Sequence, residues 1–288
     1  ISGKADQFDC VIFDEASQVF AYDAYGAIYR AKQCIIIGDT KQMPPSNFFG
    51  TSSIEEEDDY DDNLQSILDT AQGIFLTSRL KWHYRSRFEQ LISFSNKNFY
   101  DNDLVTFPSS KTDKVGIGVD YVYVNGVFDR KTKTNRAEAE KIVDMVFEHI
   151  EKYPERSLGV VAFSVAQQSL IDKLISKRRQ QDPSKDSFFK SDKLEPFFVK
   201  NLETVQGDER DVILFSVCYG PDRLGRVSLN FGPLNQFGGW RRLNVAVSRA
   251  REEMLVFSSM TGAMIDLSKT KSRGVMGLKA FLEFAQKG

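Results

Sequence analysis

Apolar residues in this chain gather in short unbroken runs closed by polar residues or glycine: Cys10–Phe13, Cys34–Ile37, Gly159–Phe163, Val212–Val217 and Met254–Phe257. Runs this short, without polar alternation, are the pattern of strands covered on both faces, as in a parallel sheet packed between helices. Between them the period changes to that of a helix. Phe88, Leu91, Ile92, Ser95 and Phe99 fall on one helical face. Ala139, Ile142, Val143, Val146, Phe147 and Ile150 fall on another, opened by Asn135 with Glu138 in capping-box spacing. Ser164 is placed to cap a helix through Leu170 and Leu174. Strands alternating with helices predict an α/β fold with a parallel sheet and right-handed crossovers.

The stretch from about 50 to 75 breaks the pattern. It is polar and weakly periodic, and it reads as an exposed acidic insert with no chemical role. Gln180–Ser191 and the Gly- and Pro-rich Gly220–Gly239 read as two further surface loops. The insert also changes the reading of charge. The 288 residues carry a formal net charge of -2, but seven acids sit in the octapeptide Glu55–Asp62, and the second half of the chain is basic. Near-neutrality therefore does not exclude a nucleic-acid partner. Cys10, Cys34 and Cys218 lie in apolar runs without a CxxC pair, which predicts buried reduced thiols in a cytoplasmic protein. With His83 and His149 as the only histidines, a His-rich zinc centre is not expected. No apolar run reaches the roughly 18 residues of a membrane helix, and no basic-then-apolar leader opens the sequence, so no membrane association is expected.

Candidate chemistry collects where the strands end. Phe13-Asp14-Glu15-Ala16-Ser17 closes one strand in adjacent carboxylates, suited to divide the holding of Mg²⁺ from the activation of water, or simply to begin a helix. Ile37-Gly38-Asp39-Thr40-Lys41-Gln42 closes another and brings an uncharged donor and acceptor, Gln42, to the same edge. A metal-dependent nuclease built on Asp14, Glu15 and Asp39 is a further possibility for these acids. His83-Tyr84-Arg85-Ser86 precedes the Phe88–Phe99 helix, with Arg85 at its head. Glu203-Thr204-Val205-Gln206-Gly207-Asp208-Glu209 leads into the Val212 strand, with Gly207 permitting a tight turn. In Arg241-Arg242-Leu243-Asn244-Val245-Ala246-Val247-Ser248-Arg249-Ala250-Arg251, Leu243, Val245, Ala246, Val247 and Ala250 would bury a helix face and leave the arginines projecting.

In this order the segments resemble the motifs of a superfamily 1 helicase, in the group that includes the nonsense-decay RNA helicases and related DNA helicase-nucleases. FDEASQ resembles motif II, GDTKQMPP motif III, HYRS motif IV, ETVQGDERDV motif V and RRLNVAVSRAR motif VI. The resemblance implies RecA-like domains, a parallel sheet flanked by helices as in P-loop NTPases, with ATP hydrolysed between two of them. Residue by residue it implies that Asp14 ligates Mg²⁺, Glu15 is the catalytic base and Gln42 contacts the γ-phosphate. Arg85 and Arg249 would be fingers on the transferred phosphoryl, a role worth about 10³–10⁵ in rate in comparable systems. Gly207 and Glu209 would approach the nucleotide. Single-stranded DNA or RNA would run across the domain tops, with Gln167, Thr204 and Trp240 as candidate contacts, though for Trp240 packing under the Gly-rich loop is the favoured reading. Where relatives often carry Thr-Pro-Tyr before the matching Gln, this chain reads Ala162-Phe163-Ser164-Val165-Ala166-Gln167.

One element of the family is missing. No G-x-x-x-x-G-K-[ST] phosphate loop occurs in the sequence, and Gly3-Lys4-Ala5 lacks both the preceding glycine and the following hydroxyl. The expectation is therefore a fragment of the motor: the end of a first RecA-like domain over residues 1–80 and a complete second one over 81–288, with the Walker A half upstream. Such a fragment is expected to be inactive alone within an ATP-dependent helicase. The rival reading is a module that binds nucleic acid or a protein partner without ATP.

Overall fold

The computed structural model describes residues 3–45, 65–108 and 116–287. The core of the acidic insert, Glu55–Asp62, lies outside them. The chain divides into two compact units, Ile1–Leu80 and Lys81–Gly288.

In the first unit β1 (Val11–Phe13) and β2 (Cys34–Ile36) pair in parallel, Val11 opposite Cys34 and Phe13 opposite Ile36. The crossover holds a single 3₁₀ turn, Ala16–Gln18, and α1 (Ala21–Ile28). A second helix, α2 (Ile67–Gln72), starts at a capping box in which Ser66 and Asp69 satisfy each other's backbone N–H. It corrects the reading of residues 50–75 as exposed loop throughout, because Ile67, Leu68 and Ala71 are buried. The acids just upstream concealed a helix too short to show a period.

Ala16, Ala24, Ile67 and Leu68 form the core on one side of the two strands. The other side is open: Ile12 is 62%, Ile35 41% and Ile37 46% exposed. Strands read as covered on both faces are thus covered on one. Cys10 is likewise exposed and Cys34 only half-buried, against the expectation of buried thiols; Cys218 is buried, and all three are free.

The second unit is built on five parallel strands, β3 (Gly118–Tyr123), β6 (Leu158–Ala162), β7 (Phe198–Asn201), β8 (Arg210–Ser216) and β9 (Ala250–Ser258), in the order β3-β9-β8-β6-β7. A short antiparallel pair, β4 (Phe128–Asp129) and β5 (Thr134–Asn135), follows β3. Five helices accompany the sheet: α3 (Gln90–Phe99), α4 (Arg136–Lys152), α5 (Val165–Gln181), α6 (Gly239–Val247) and α7 (Arg273–Ala285). Ile142, Val146 and Ile171 of α4 and α5 pack on Leu158, Val160, Val212 and Leu214. On the opposite face Phe281 of α7 meets Phe215 of β8 and Phe94 of α3 edge-on. β6 is buried along its whole length, as a central strand between two helix layers must be.

Ser164 caps α5 as expected, accepting from the Gln167 N–H at 3.1 Å. The segment Gln180–Ser191 is not a loop: α5 runs to Gln181, and a 3₁₀ turn, Pro183–Phe189, tucks Phe188 into the core.

Candidate functional site

In the first unit the carboxyl ends of β1 and β2 are tied together. The Ile37 N–H donates to Phe13 O at 2.8 Å and the Ala16 N–H to Ile37 O at 2.9 Å. The chain turns between these bonds through Glu15, which adopts a left-handed backbone (φ 49). Asp14 stabilises that costly conformation by accepting the Glu15 N–H at 2.8 Å on Oδ1. The turn leaves Asp14 exposed at the strand end, and its Oδ2 makes no hydrogen bond among the described residues. Gly38 lets the second strand end approach: a Cβ there would stand 3.1 Å from the backbone nitrogens of Ala16 and Ser17 and 2.9 Å from Leu68. Beyond it Asp39 organises its own loop, accepting from the Lys41 N–H at 2.8 Å and from Gln42 Nε2 at 3.1 Å. Gln42 is thereby oriented through its amino group, while its Oε1 has no partner among the described residues.

No group of three His, Cys, Asp or Glu side chains able to hold a metal occurs among the described residues. Asp14 and Glu15 are the carboxylates at this strand end that would hold an ion taking one or two carboxylates and completing its shell with water and phosphate oxygens, the habit of Mg²⁺.

In the second unit the candidate residues meet at the amino ends of β8 and β9. The Arg210 N–H donates to Arg249 O at 3.2 Å, and the Arg87 N–H to Arg251 O at 2.8 Å, so three segments distant in sequence converge. Arg85 Nε donates to Glu209 Oε2 at 2.5 Å, and the Arg85 terminal nitrogens make no hydrogen bond among the described residues. Arg251 lies 3.6 Å from the other Glu209 oxygen and is itself fixed by Glu195 and Asp211. His83 Nε2 accepts the Ser86 N–H at 3.1 Å. Burial, then the charges of Arg85 and Arg249, push the His83 pKa down to about 4, so the ring is neutral at physiological pH.

Arg249 does not project from a helix. α6 ends at Val247, Ala250 already belongs to β9, and Arg249 between them is 1% exposed. Its Nε donates to Val245 O at 2.7 Å and its Nη2 to Ser248 Oγ at 3.1 Å. Arg242 is also buried, bonded to Glu203 Oε1 at 2.5 Å. Gly207 has the positive φ (+86) that its turn requires.

Of the proposed nucleic-acid contacts, Thr204 is exposed in the turn after β7, its backbone N–H accepted by Asn201 Oδ1 at 3.2 Å. Gln167 and Trp240 face inward, which corrects the contact expected of Gln167 and matches the packing role weighed for Trp240. The Gln167 amide is committed to the Asn135 backbone and Ser216 Oγ. Trp240 stacks on Phe99 at 5.3 Å, with the Arg273 guanidinium 4.2 Å from its ring centroid.

Sequence reasoning missed Glu138. Asn135 caps α4 by accepting the Glu138 N–H at 3.2 Å, but the Glu138 carboxylate does not return to Asn135. Fully buried, it accepts from Ser216 Oγ and the Cys218 N–H, both at 2.6 Å, and its Oε2 has no partner among the described residues. The available signal was its position one turn before Ile142 on the buried face. Desolvation raises its pKa from 4.5 to about 8. The folded chain thus holds this proton more tightly than the unfolded chain, and stability is lost as pH rises from about 4.5 to about 8. Glu138→Gln keeps both hydrogen bonds and cannot ionise. Urea unfolding should find it more stable than wild type at pH 9, by roughly 1–3 kcal/mol, and nearly equal at pH 5. An equal difference at both pH values would rule this out.

A five-stranded parallel sheet flanked by helices, with arginines at the heads of its strands, is an α/β fold of the RecA-like class. The chain belongs to the AAA domain family of superfamily 1 helicases: one AAA domain model (AAA_12) matches residues 63–261, and a second (AAA_11) matches residues 2–48. It is 34% identical to the uncharacterized ATP-dependent helicase MG140 of Mycoplasma genitalium, over 97% of this chain and 25% of that protein. It is also similar to helicase sen1 of Schizosaccharomyces pombe (29% identity, 88% of this chain, 15% of that protein). The DNA replication ATP-dependent helicase/nuclease DNA2 of Gallus gallus is 23% identical over 87% of this chain and 23% of that protein. The chain thus spans a quarter or less of the length of these relatives. Among solved structures, the PRRSV helicase is 15% identical, covering 89% of this chain and 36% of that one with a TM-score of 0.40. Among the described residues no helix is long and apolar enough to cross a membrane.

Proposed function

We propose that this chain is the C-terminal part of the motor of an ATP-dependent nucleic-acid helicase. The observation that carries this reading is Arg85. One edge of its guanidinium is fixed by Glu209 while the terminal nitrogens stay uncommitted, as a residue that donates to a phosphoryl group requires. Arg249, anchored at the head of β9 and acting with Arg85 on His83, supplies the second positive charge. In the first unit Glu15 takes the proton of the attacking water, and the Gln42 carbonyl, aimed by Asp39, orients that water. Asp14 holds the shell of Mg²⁺, which when bound neutralises charge on the β- and γ-phosphates.

The open face of β1 and β2 supports an upstream segment as the missing partner. Ile12, Ile35 and Ile37 have the apolar character of covered strands, and each is worth about 1.5–3 kcal/mol on full burial. A segment bearing G-x-x-x-x-G-K-[ST] would cover that face and supply the phosphate cradle.

Phosphate release with Mg²⁺ and single-stranded oligonucleotide tests the reading. The full-length parent is expected to turn over ATP, and the 288-residue chain to stay at background. Hydrolysis by the isolated chain at the parent's rate would overturn the division of the site. A parent that binds strands but never hydrolyses ATP would establish the ATP-independent binding module instead.

A further inference from the structure

Two hairpins meet over the carboxyl end of the five-stranded sheet, at the other end of β8 and β9 from Glu209 and Arg249. One is the β4–β5 pair that follows β3; the other follows β8 and is closed by the antiparallel bridge between Pro221 and Val227. They are joined by a bond from the Phe128 N–H to Pro221 O at 2.9 Å. Both rest on Ser259, just past β9. A Cβ at Gly126 would lie 2.8 Å from Ser259 Oγ, and one at Gly220 3.0 Å from Ser259 Cβ, so the convergence depends on two glycines.

Between the hairpins is a cleft of about 310 Å³ lined by Arg130, Lys131, Arg223 and Arg226 together with Asp129 and Asp222. The two carboxylates hold the hairpins in shape. Asp222 accepts from the Leu224 N–H at 2.9 Å and the Arg226 N–H at 3.0 Å, and pairs with Arg130 at 3.0 Å and Arg226 at 3.2 Å. Asp129 accepts from the Lys131 N–H at 2.8 Å. The Lys131 and Arg223 side chains are exposed and make no hydrogen bond or ion pair among the described residues. Leu224, at the tip between them, is 73% exposed.

We infer that this cleft is a phosphodiester-binding subsite for single-stranded nucleic acid, an inference that rests on the helicase reading. Guanidinium and ammonium groups on turns already fixed lose little freedom on meeting phosphates. The apolar tip offers contact to a base, which a paired strand would keep stacked inside its duplex. The position is also where open α/β sheets take ligands, outside the carboxyl ends of the strands.

The test is fluorescence anisotropy of a labelled oligothymidylate with this chain over a range of salt concentrations. Lys131→Ala combined with Arg223→Ala leaves every Asp222 pair intact, and it should weaken binding about 10-fold and flatten the salt slope by about 1. The thermal midpoint should not move. Lys152→Ala combined with Lys185→Ala, of equal charge change, should have little effect. Absence of wild-type binding, or an equal loss from both double variants, would overturn the subsite. Poly-glutamate competing as well as the oligonucleotide would replace it with a surface for acidic peptides. ATP turnover by the parent is read separately: turnover with strand binding indifferent to Lys131 and Arg223 removes the subsite alone. Binding that depends on them, in a parent without turnover, removes the helicase reading alone.

Discussion

Glu15→Gln in the full-length parent is expected to lower ATP turnover about 10²–10⁴-fold while leaving nucleotide binding nearly unchanged. Glutamine fills the same volume but cannot take the proton of the attacking water. The backbone that presents it should persist, because the left-handed turn depends on the N–H of residue 15 donating to Asp14 and on the bond from Ala16 to Ile37. The binding contribution of Asp14 is likewise retained. Steady-state phosphate release beside an equilibrium titration with a fluorescent ATP analogue separates the two effects. A variant keeping a tenth or more of wild-type turnover would remove Glu15 from the role of base.

Arg85→Ala is expected to cost about 10³ in turnover, the lower range for the loss of a finger. The fold should survive, since Glu209 retains Arg251 at 3.6 Å and Arg251 is itself tied to Glu195 and Asp211. Arg85→Lys should recover only part of the loss, because an ammonium cannot bond Glu209 along one edge and phosphate along another. A second readout is independent of ATP. Removing a positive charge beside His83 favours its protonated form, so the His83 pKa should rise from about 4 toward the ordinary value near 6.5. NMR titration of the ring detects this in the isolated chain. Full turnover in Arg85→Ala, or an unmoved His83, would place Arg85 elsewhere.

The sequence was most legible where local and tertiary requirements coincide. Val160 and Leu214 must be apolar on any covered central strand, so β6 and β8 were plain. The edge strands β3 and β7 alternate with polar residues such as Asp120 and Lys200, and gave no continuous run to read. The order of the motifs identified Arg85 and Arg249 as special, but not how each is held. Where α6 stops depends on β9 starting three residues later, a long-range pairing that helical periodicity does not register. Glu138 satisfied a local capping rule and was then claimed by Ser216 and Cys218, which the chain supplies about eighty residues later. Trp240 beside two arginines left base stacking and packing under the Gly-rich loop both open, and in the fold it packs against Phe99.

The parallel course of β8 has a mechanical consequence. Its seven residues run from Arg210, beside the arginine–glutamate cluster, to Ser216, beneath the paired hairpins, about 20 Å at the usual rise per residue. Hydrogen-bonded neighbours on both sides and buried side chains at every position but the partly buried Asp211 make it a stiff strut, one that can be displaced as a body far more readily than it can be stretched. A small tilt imposed at the arginine end would appear at the hairpin end as a lever's sweep. If the arginine end holds a phosphate and the hairpins a strand, as proposed above, an event at the first would reach the second along one rigid element.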